Sequence, residues 1–448
     1  MPDDRVPDLA AAVVGSGPAG FYTAAALLGL SDRNIRVDMF ERLPTPWGLV
    51  RAGVAPDHPK IKSIAGLFAR TSSHERFRFF GNVEVGKHIS REELLGRYDV
   101  VVYCVGAPAD RALGIPGEQL TGVLGARDFV GWYNGHPDFR DLAVDLDAYR
   151  AVVVGNGNVA LDVARVLATP PERLATTDIA DHALDALRGS GIHEVVVIGR
   201  RGPAQATFTT PELRELADLT GAAVLVDPDQ LTSIDDEDLA HIPRHNLQIL
   251  RDYAGIRPVN GGRRITLRFL TSPIEIHGTD RVSSMVLGRN ELDADGRAVD
   301  TGERQALSTG LVLRAAGYRG VAVPGVPFDA AAGVIPNEDG RVAGGDREYV
   351  SGWIKRGPTG IIGTNKHDAV DTVRTLVADL AADPAPSRAA EPEMVESWLR
   401  ERQPDLVDLD GWAAIDAAER AAGERQGRPR VKLCTWDELL AAARTVRV

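Results

Sequence analysis

The chain has little of the cysteine that would support thiol redox or thiolate–metal chemistry of its own. Across 448 residues there are two cysteines, Cys104 and Cys434, 330 positions apart. That spacing excludes a CxxC dithiol and any all-cysteine zinc or iron–sulfur site. Both thiols read as buried groups in a reducing, cytoplasmic setting. No apolar run approaches the ~18 residues that span a bilayer. The opening "MPDDRVPDLAAAVVGSGPAG" lacks the basic segment followed by a hydrophobic one that marks a signal or transit peptide. Positive charge is also in short supply. Lys and Arg number 51 against 63 Asp and Glu, a formal charge of −12, which argues against nucleic-acid binding. An acidic partner would need a local basic patch, for which Arg214, Arg244, Arg251, Lys355 and Arg356 are the candidates.

Glycine is plentiful, at 46 residues, and two of its clusters are patterned. "LAAAVVGSGPAGFYTAAALL" places Gly15-x-Gly17-x-x-Gly20 between an apolar run and an alanine-rich helical stretch. In that context the glycines permit a tight turn, close approach to a pyrophosphate and close helix–strand packing. "NIRVDMFER" then ends a second apolar run on Glu41, 21 residues after Gly20. A carboxylate there suits a ribose hydroxyl. The pattern returns in "YRAVVVGNGNVALDVARVLA" as Gly155-x-Gly157-x-x-Ala160. A helical insert, "TPPERLATTDIADHALDALRGSGIHE", precedes its second strand, "VVVIG".

The tip of that strand carries Arg200 and Arg201 where the first unit carries an acid. A carboxylate would repel a 2′-phosphate, whereas two guanidiniums can grip it through charge-assisted hydrogen bonds. The economical reading is FAD in the first unit and NADP(H) in the second. The runs "YDVVVYCVGAP" (98–108) and "TGLVLRAAGYRG" (309–320) are spaced as two crossings between an outer and an inserted unit. The fold class that follows is α/β, with two doubly wound, Rossmann-like dinucleotide-binding domains, the NADP domain inserted into the FAD domain. Residues 1–108 and 325–448 form the FAD domain with a C-terminal helical extension, and 109–324 the NADP domain. "AADPAPSRAAEP" (381–392) reads as a linker, and Thr435-x-x-Glu438 as a capping box beyond it.

"LPTPWGLVRAGVAPDHPKIKS", "RFRFFGNVEVG", "GRRGPAQATFTTPELREL", "RFLTSPIEI" and "GWIKRGPTGIIGTNK" are more specific. With the two glycine turns, they resemble the adrenodoxin-reductase-type ferredoxin–NADP reductases, in particular their bacterial NADPH–ferredoxin members. The resemblance runs from about residue 10 to the C-terminus, with Ala19 among the few small departures in the first turn. It implies that Gly15, Gly17, Ala19, Gly20, Glu41, Leu49, Val85, Trp353, Gly360, Ile361 and Ile362 meet FAD. It likewise implies that Arg111, Asn156, Gly157, Asn158, Val159, Arg200, Arg201 and Glu212 contact NADP(H), with Gly360 touching both cofactors. His58 and Glu215 match a pair where nicotinamide and flavin meet. Taken on physical grounds alone, Trp353 suits a core indole or a flavin neighbour, and His58 a stiff site loop or a turn cap. The implied activity is hydride uptake from NADPH and single-electron delivery to a ferredoxin-type iron–sulfur protein. An NADPH dehydrogenase acting on quinones or other small acceptors shares every motif. A flavin-free NADP sensor and a disulfide reductase are the remaining alternatives, and the missing CxxC speaks against the latter.

Overall fold

The computed structural model describes residues 9–31, 33–232, 234, 236, 239–256, 262–383 and 389–445. Val and Ala dominate the runs 9–14 and 100–103, and both are fully buried. Such uniform burial marks strands covered on both faces. They form the centre of an outer sheet whose parallel part runs Phe77–Phe80, Ile35–Phe40, Leu9–Val14, Val100–Tyr103, Glu348–Val350. Two short antiparallel strands, Arg341–Val342 and Asn337–Glu338, finish one edge.

A second sheet is built wholly from the chain between these segments. Its order is Val123–Gly125, Leu311–Arg314, Arg150–Val154, Glu194–Ile198, Arg263–Arg268, Ala222–Val226, all parallel. One face carries a helical layer that includes Ala126–Tyr133 and Asn158–Ala168, packed into the core with Phe129, Leu161 and Leu313. The other face is covered by an antiparallel three-stranded sheet, Thr271–Gly278, Val282–Leu292 and Ala298–Ser308. Its Ile276, Met285 and Leu287 pack on Val152, Val196 and Val312. The chain leaves and re-enters the outer sheet side by side, since Ala109–Asp110 pairs antiparallel with Tyr318–Arg319.

The helix Thr364–Ala382 shares a core with the first-turn helix Pro18–Leu28 through Ala369, Val373 and Leu376. Beyond it, helices Pro392–Arg402, Leu409–Arg425 and Trp436–Arg444 close the chain. Thr435 and Glu438 form the capping box, each side chain accepting from the other's backbone N–H. Positions 384–388 of the linker lie outside the described residues. Among the described residues, no helix is long and apolar enough to cross a membrane.

The segment between the last two helices also ties the halves together, beside an ion cluster within the outer half. Arg51 of the outer half pairs with buried Glu419 at 2.9 Å, and Arg430 meets the same carboxylate at 2.9 Å. Lys432, almost fully buried, reaches Asp178 of the inserted half at 3.2 Å, where Lys62 of the outer half already sits at 2.5 Å. Removing one partner from such a cluster leaves an uncompensated buried charge, so the arrangement holds the halves in register.

Candidate active site

The first glycine turn is shaped by its neighbours. Gly15 has φ +104, and a Cβ there would lie 2.5 Å from the Cys104 carbonyl oxygen. A Cβ on Gly20 would lie 2.0 Å from the Gly15 carbonyl oxygen. Gly17 differs, because beyond its own chain neighbours no described heavy atom lies within 4 Å of where its Cβ would stand. It is the N-cap of the helix Pro18–Leu28. Ala19 is buried against Gly352, whose added Cβ would come within 2.5 Å of the alanine methyl. That contact sets the segment carrying Trp353 beside the turn.

Glu41 ends the second strand of the sheet with both carboxylate oxygens engaged. One accepts from Ser16 N at 3.0 Å and Ser16 Oγ at 2.6 Å, and the other from Leu43 N at 3.0 Å. The loop that follows folds back on the turn: Trp47 N donates to Ser16 O, and a Cβ on Gly48 would approach Gly17 Cα to 2.9 Å. Leu49 is exposed at the start of the short helix Leu49–Ala52, and Val85 is half-buried. Trp353 stacks on Tyr318 at 5.7 Å and donates from its indole to Thr359 O. Gly360 and Ile361 are exposed, Ile361 by 62%, and Ile362 packs against the outer core.

The second turn mirrors the first. Gly155 has φ +135, and its Cβ would lie 2.2 Å from Ala315 O. Asn156 and Asn158 turn inward to hold the loop 207–209: Asn156 O accepts from Phe208 N, and Asn158 Oδ1 accepts from Thr209 N at 2.7 Å. Val159 packs at the rim of the inserted core. Arg200 is exposed and Arg201 half-buried, with one long contact at 3.4 Å to Gln205 O. Among the described residues neither guanidinium has a carboxylate partner, so both charges stand uncompensated at the strand tip. Arg111 is exposed at the crossing, its Nε 3.4 Å from Tyr318 O.

His58 and Glu215, distant in sequence, meet with Nε2 and Oε2 2.5 Å apart. His58 comes from the outer half and Glu215 from the helix Thr210–Glu215 of the inserted half, so the contact marks their junction. Glu212 lies on the same short helix, buried, with its carboxyl pushed up to about 8 by burial first and then by Asp162.

Sequence reasoning missed the group that organises this junction. Buried Arg165 clasps Asp57 through two bonds of 2.7 and 2.9 Å and reaches Asp162 at 2.8 Å. Its third nitrogen lies 3.7 Å from both Glu212 and Glu215. The available signal was a charged pair, Asp162 and Arg165, three residues apart in the otherwise apolar helix "NVALDVARVLA". Of the basic-patch candidates, Arg251 is clasped by Asp236, Lys355 lies 3.0 Å from Asp368, and Arg356 donates to Asn365. Arg214 remains exposed beside His245.

Comparison with known proteins places the chain. The family described as Pyridine nucleotide-disulphide oxidoreductase matches residues 9–216. "NADPH-ferredoxin reductase FprA" of Mycobacterium leprae is 59% identical over 96% of this chain and 97% of its own length. The mitochondrial "NADPH:adrenodoxin oxidoreductase" of Salvelinus fontinalis is 43% identical over 96% and 90%. The solved structure of Mycobacterium tuberculosis FprA in complex with NADPH superposes with a TM-score of 0.94 at 56% identity, covering 97% of this chain and 99% of that one. With such identity across nearly the whole of both chains, the protein belongs to the NADPH–ferredoxin reductase family that also takes in the adrenodoxin reductases.

Proposed function

We propose that the chain is an NADPH–ferredoxin reductase with FAD and NADP(H) as cofactors, taking hydride from NADPH and delivering single electrons to a ferredoxin-type iron–sulfur protein. The observation that carries this reading is the contrast between the strand tips, Glu41 beside one glycine turn and unpaired Arg200 and Arg201 beside the other. Residues 1–108 and 325–448 make the flavin half, and 109–324 the NADP(H) half. The reading includes a cytoplasmic setting, which suits two buried free thiols.

FAD, when bound, supplies the exchange between two-electron and one-electron transfer. The residues around the first turn fit that cofactor, since the open flank at Gly17 is bare where a pyrophosphate would come. Glu41 accepts from the ribose, the backbone of Gly15, Gly17, Ala19 and Gly20 faces the pyrophosphate, and Leu49, Val85, Trp353 and Gly360 to Ile362 lie along the flavin. On the other side, Arg200 and Arg201 hold the 2′-phosphate, while Arg111, Asn156 to Val159 and Glu212 hold the rest of NADP(H). His58 and Glu215 orient the nicotinamide at the junction. Buried cysteine thiols leave no dithiol to relay electrons, so a disulfide-reductase reading finds no support.

The test compares kcat/KM for NADPH-driven reduction of a panel of ferredoxins with that for quinones. Ferredoxin should be the better acceptor, and its reduction should slow as salt screens docking while that of an uncharged acceptor barely changes. A preferred quinone with the same salt response would make the chain a small-acceptor NADPH dehydrogenase.

A further inference from the structure

We propose that His58, Glu212 and Glu215 form a binding site for a transition-metal dication of the zinc class, and that metal held there bridges the two halves and obstructs the nucleotide. The three ligand atoms lie within 4.8 Å of one another. Nε2 of His58 is 2.5 Å from Oε2 of Glu215 and 3.8 Å from Oε2 of Glu212. Glu212 is 8% exposed, yet that Oε2 accepts no hydrogen bond among the described residues. Its cationic neighbour, Arg165 Nη1, stands 3.7 Å off, beyond hydrogen-bond reach, and the oxygen shares the cluster with an imidazole and a second carboxylate.

The donor set selects the ion. One imidazole and two carboxylates are the ligands of an open zinc site, with a fourth position left to solvent. Calcium and magnesium prefer all-oxygen shells of higher number. Zinc bonds of ~2.0–2.2 Å in a tetrahedron put ligand atoms about 3.4 Å apart. Glu215 would therefore give way by roughly 0.9 Å and Glu212 close by roughly 0.4 Å. Glu215 has the freedom to do so, with 42% of its side chain exposed. Behind the imidazole, Asp162 Oδ1 lies 3.9 Å from His58 Nδ1 and is engaged by Arg165 at 2.8 Å.

Charge also favours a cation. Among the described residues Arg165 is the one guanidinium in contact with the cluster, and its closest contacts are with Asp57 and Asp162, leaving Glu212 and Glu215 at 3.7 Å. Four acidic side chains thus surround a single fixed positive charge, with burial suppressing the charge of Glu212. Because His58 belongs to the outer half and both glutamates to the inserted half, a bound ion would tie the halves together. That it excludes NADP(H) rests on the functional reading above, which gives these three side chains to the nucleotide.

The FAD-loaded full chain is titrated with zinc chloride against a chromophoric chelator. We expect one equivalent bound, weakened by about 10–100-fold in His58→Gln and in Glu212→Gln, and weakened again by saturating NADP⁺ in the wild type. Flavin absorbance per chain checks that each variant has folded, and Glu215→Gln replaces any variant that loses flavin, since its side chain is partly exposed. Equal zinc affinity in wild type and folded variants, or no stoichiometric uptake by the wild type, overturns the site. Stoichiometric zinc indifferent to NADP⁺ overturns the obstruction. Ferredoxin reduction without zinc keeps the two readings apart, because its failure would strike the functional assignment and leave the zinc titration standing.

Discussion

At Gly15 and at Gly155 the chain makes the same turn twice. The N–H of Gly15 donates to Phe40 O at 2.8 Å and that of Gly155 to Ile198 O at 2.9 Å, each at the end of the neighbouring strand. Each glycine is pressed on a carbonyl just beyond the strand on its other side, Cys104 O or Ala315 O. Each sequence then opens a helix from a glycine N-cap, Gly17 or Gly157. Beyond this shared frame the two units part. The first tip holds a carboxylate bonded to its own turn, and the second holds two guanidiniums with no acidic partner among the described residues. Backbone sterics therefore shape the two turns alike, and on the proposed reading one or two side chains at each strand tip set which nucleotide the turn takes.

The sharpest way to break that contrast is to remove the arginines. Since no carboxylate depends on them, Arg200→Ala with Arg201→Ala should leave the fold's stability nearly unchanged. Two charge-assisted bonds of roughly 1.5–3 kcal/mol each should go, lowering the NADPH-to-NADH preference by about 10²–10⁴-fold, mostly through KM for NADPH. Steady-state kinetics with both nucleotides measure the ratio. A ratio within about twofold of the wild type would refute the phosphate clamp, because a single such bond is worth more than that.

The opposite tip should respond differently. Glu41→Ala removes the acceptor of Ser16 N, Ser16 Oγ and Leu43 N and, on the proposed reading, the ribose ligand, so both the turn and the cofactor should be affected. FAD affinity should fall by about 10–100-fold, from one lost charged bond of roughly 1.5–3 kcal/mol. NADP⁺ affinity should hold, because the site lies on the other sheet. Flavin content after gel filtration and NADP⁺ titration read the two sites separately. Full flavin occupancy with damaged NADP⁺ binding would exchange the two assignments.

How much of this could be read beforehand follows from the range of the forces involved. Turns, strand tips and the capping box at Thr435 are local, so a few adjacent residues declare them. The nested order was legible too, because the crossings at 98–108 and 309–320 each hold an apolar strand, Val100–Tyr103 or Leu311–Arg314, with a glycine three residues after it. The antiparallel layer from 271 to 308 was not, since only tertiary packing on Val152 and Val196 shows what its apolar positions cover. The ionic clusters were the least legible. Arg51 and Glu419 are 368 positions apart, and nothing near either residue announces the other. His58 and Glu215 were found through family likeness, but Arg165 and Asp57, which hold them in place, carry no motif. Long-range charge pairing leaves only a weak trace in sequence, such as two charges on an apolar helix.

A smaller effect, away from both tips, serves as the control for this comparison. Asp110 sits where the chain crosses between the halves, and its carboxylate accepts from Arg127 N at 3.1 Å. Burial, and after it the nearby Asp128, raises its carboxyl from 3.8 to about 6. Between those values the folded state holds a proton that the unfolded chain has lost, so this group's contribution to stability falls as pH rises through the window. Asp110→Asn keeps an acceptor for Arg127 N without the charge. It should therefore stabilise the protein at pH 7 by on the order of 1–2 kcal/mol, with the gain fading toward pH 4. Denaturant unfolding of the holoenzyme at both pH values measures this, alongside NADPH preference and flavin content, which should both stay at wild-type values. A gain equal at the two pH values would mean that Asp110 is ionised in the folded protein throughout the range. A changed nucleotide preference would mean that the crossing, and not the strand tips alone, sets which cofactor each half accepts.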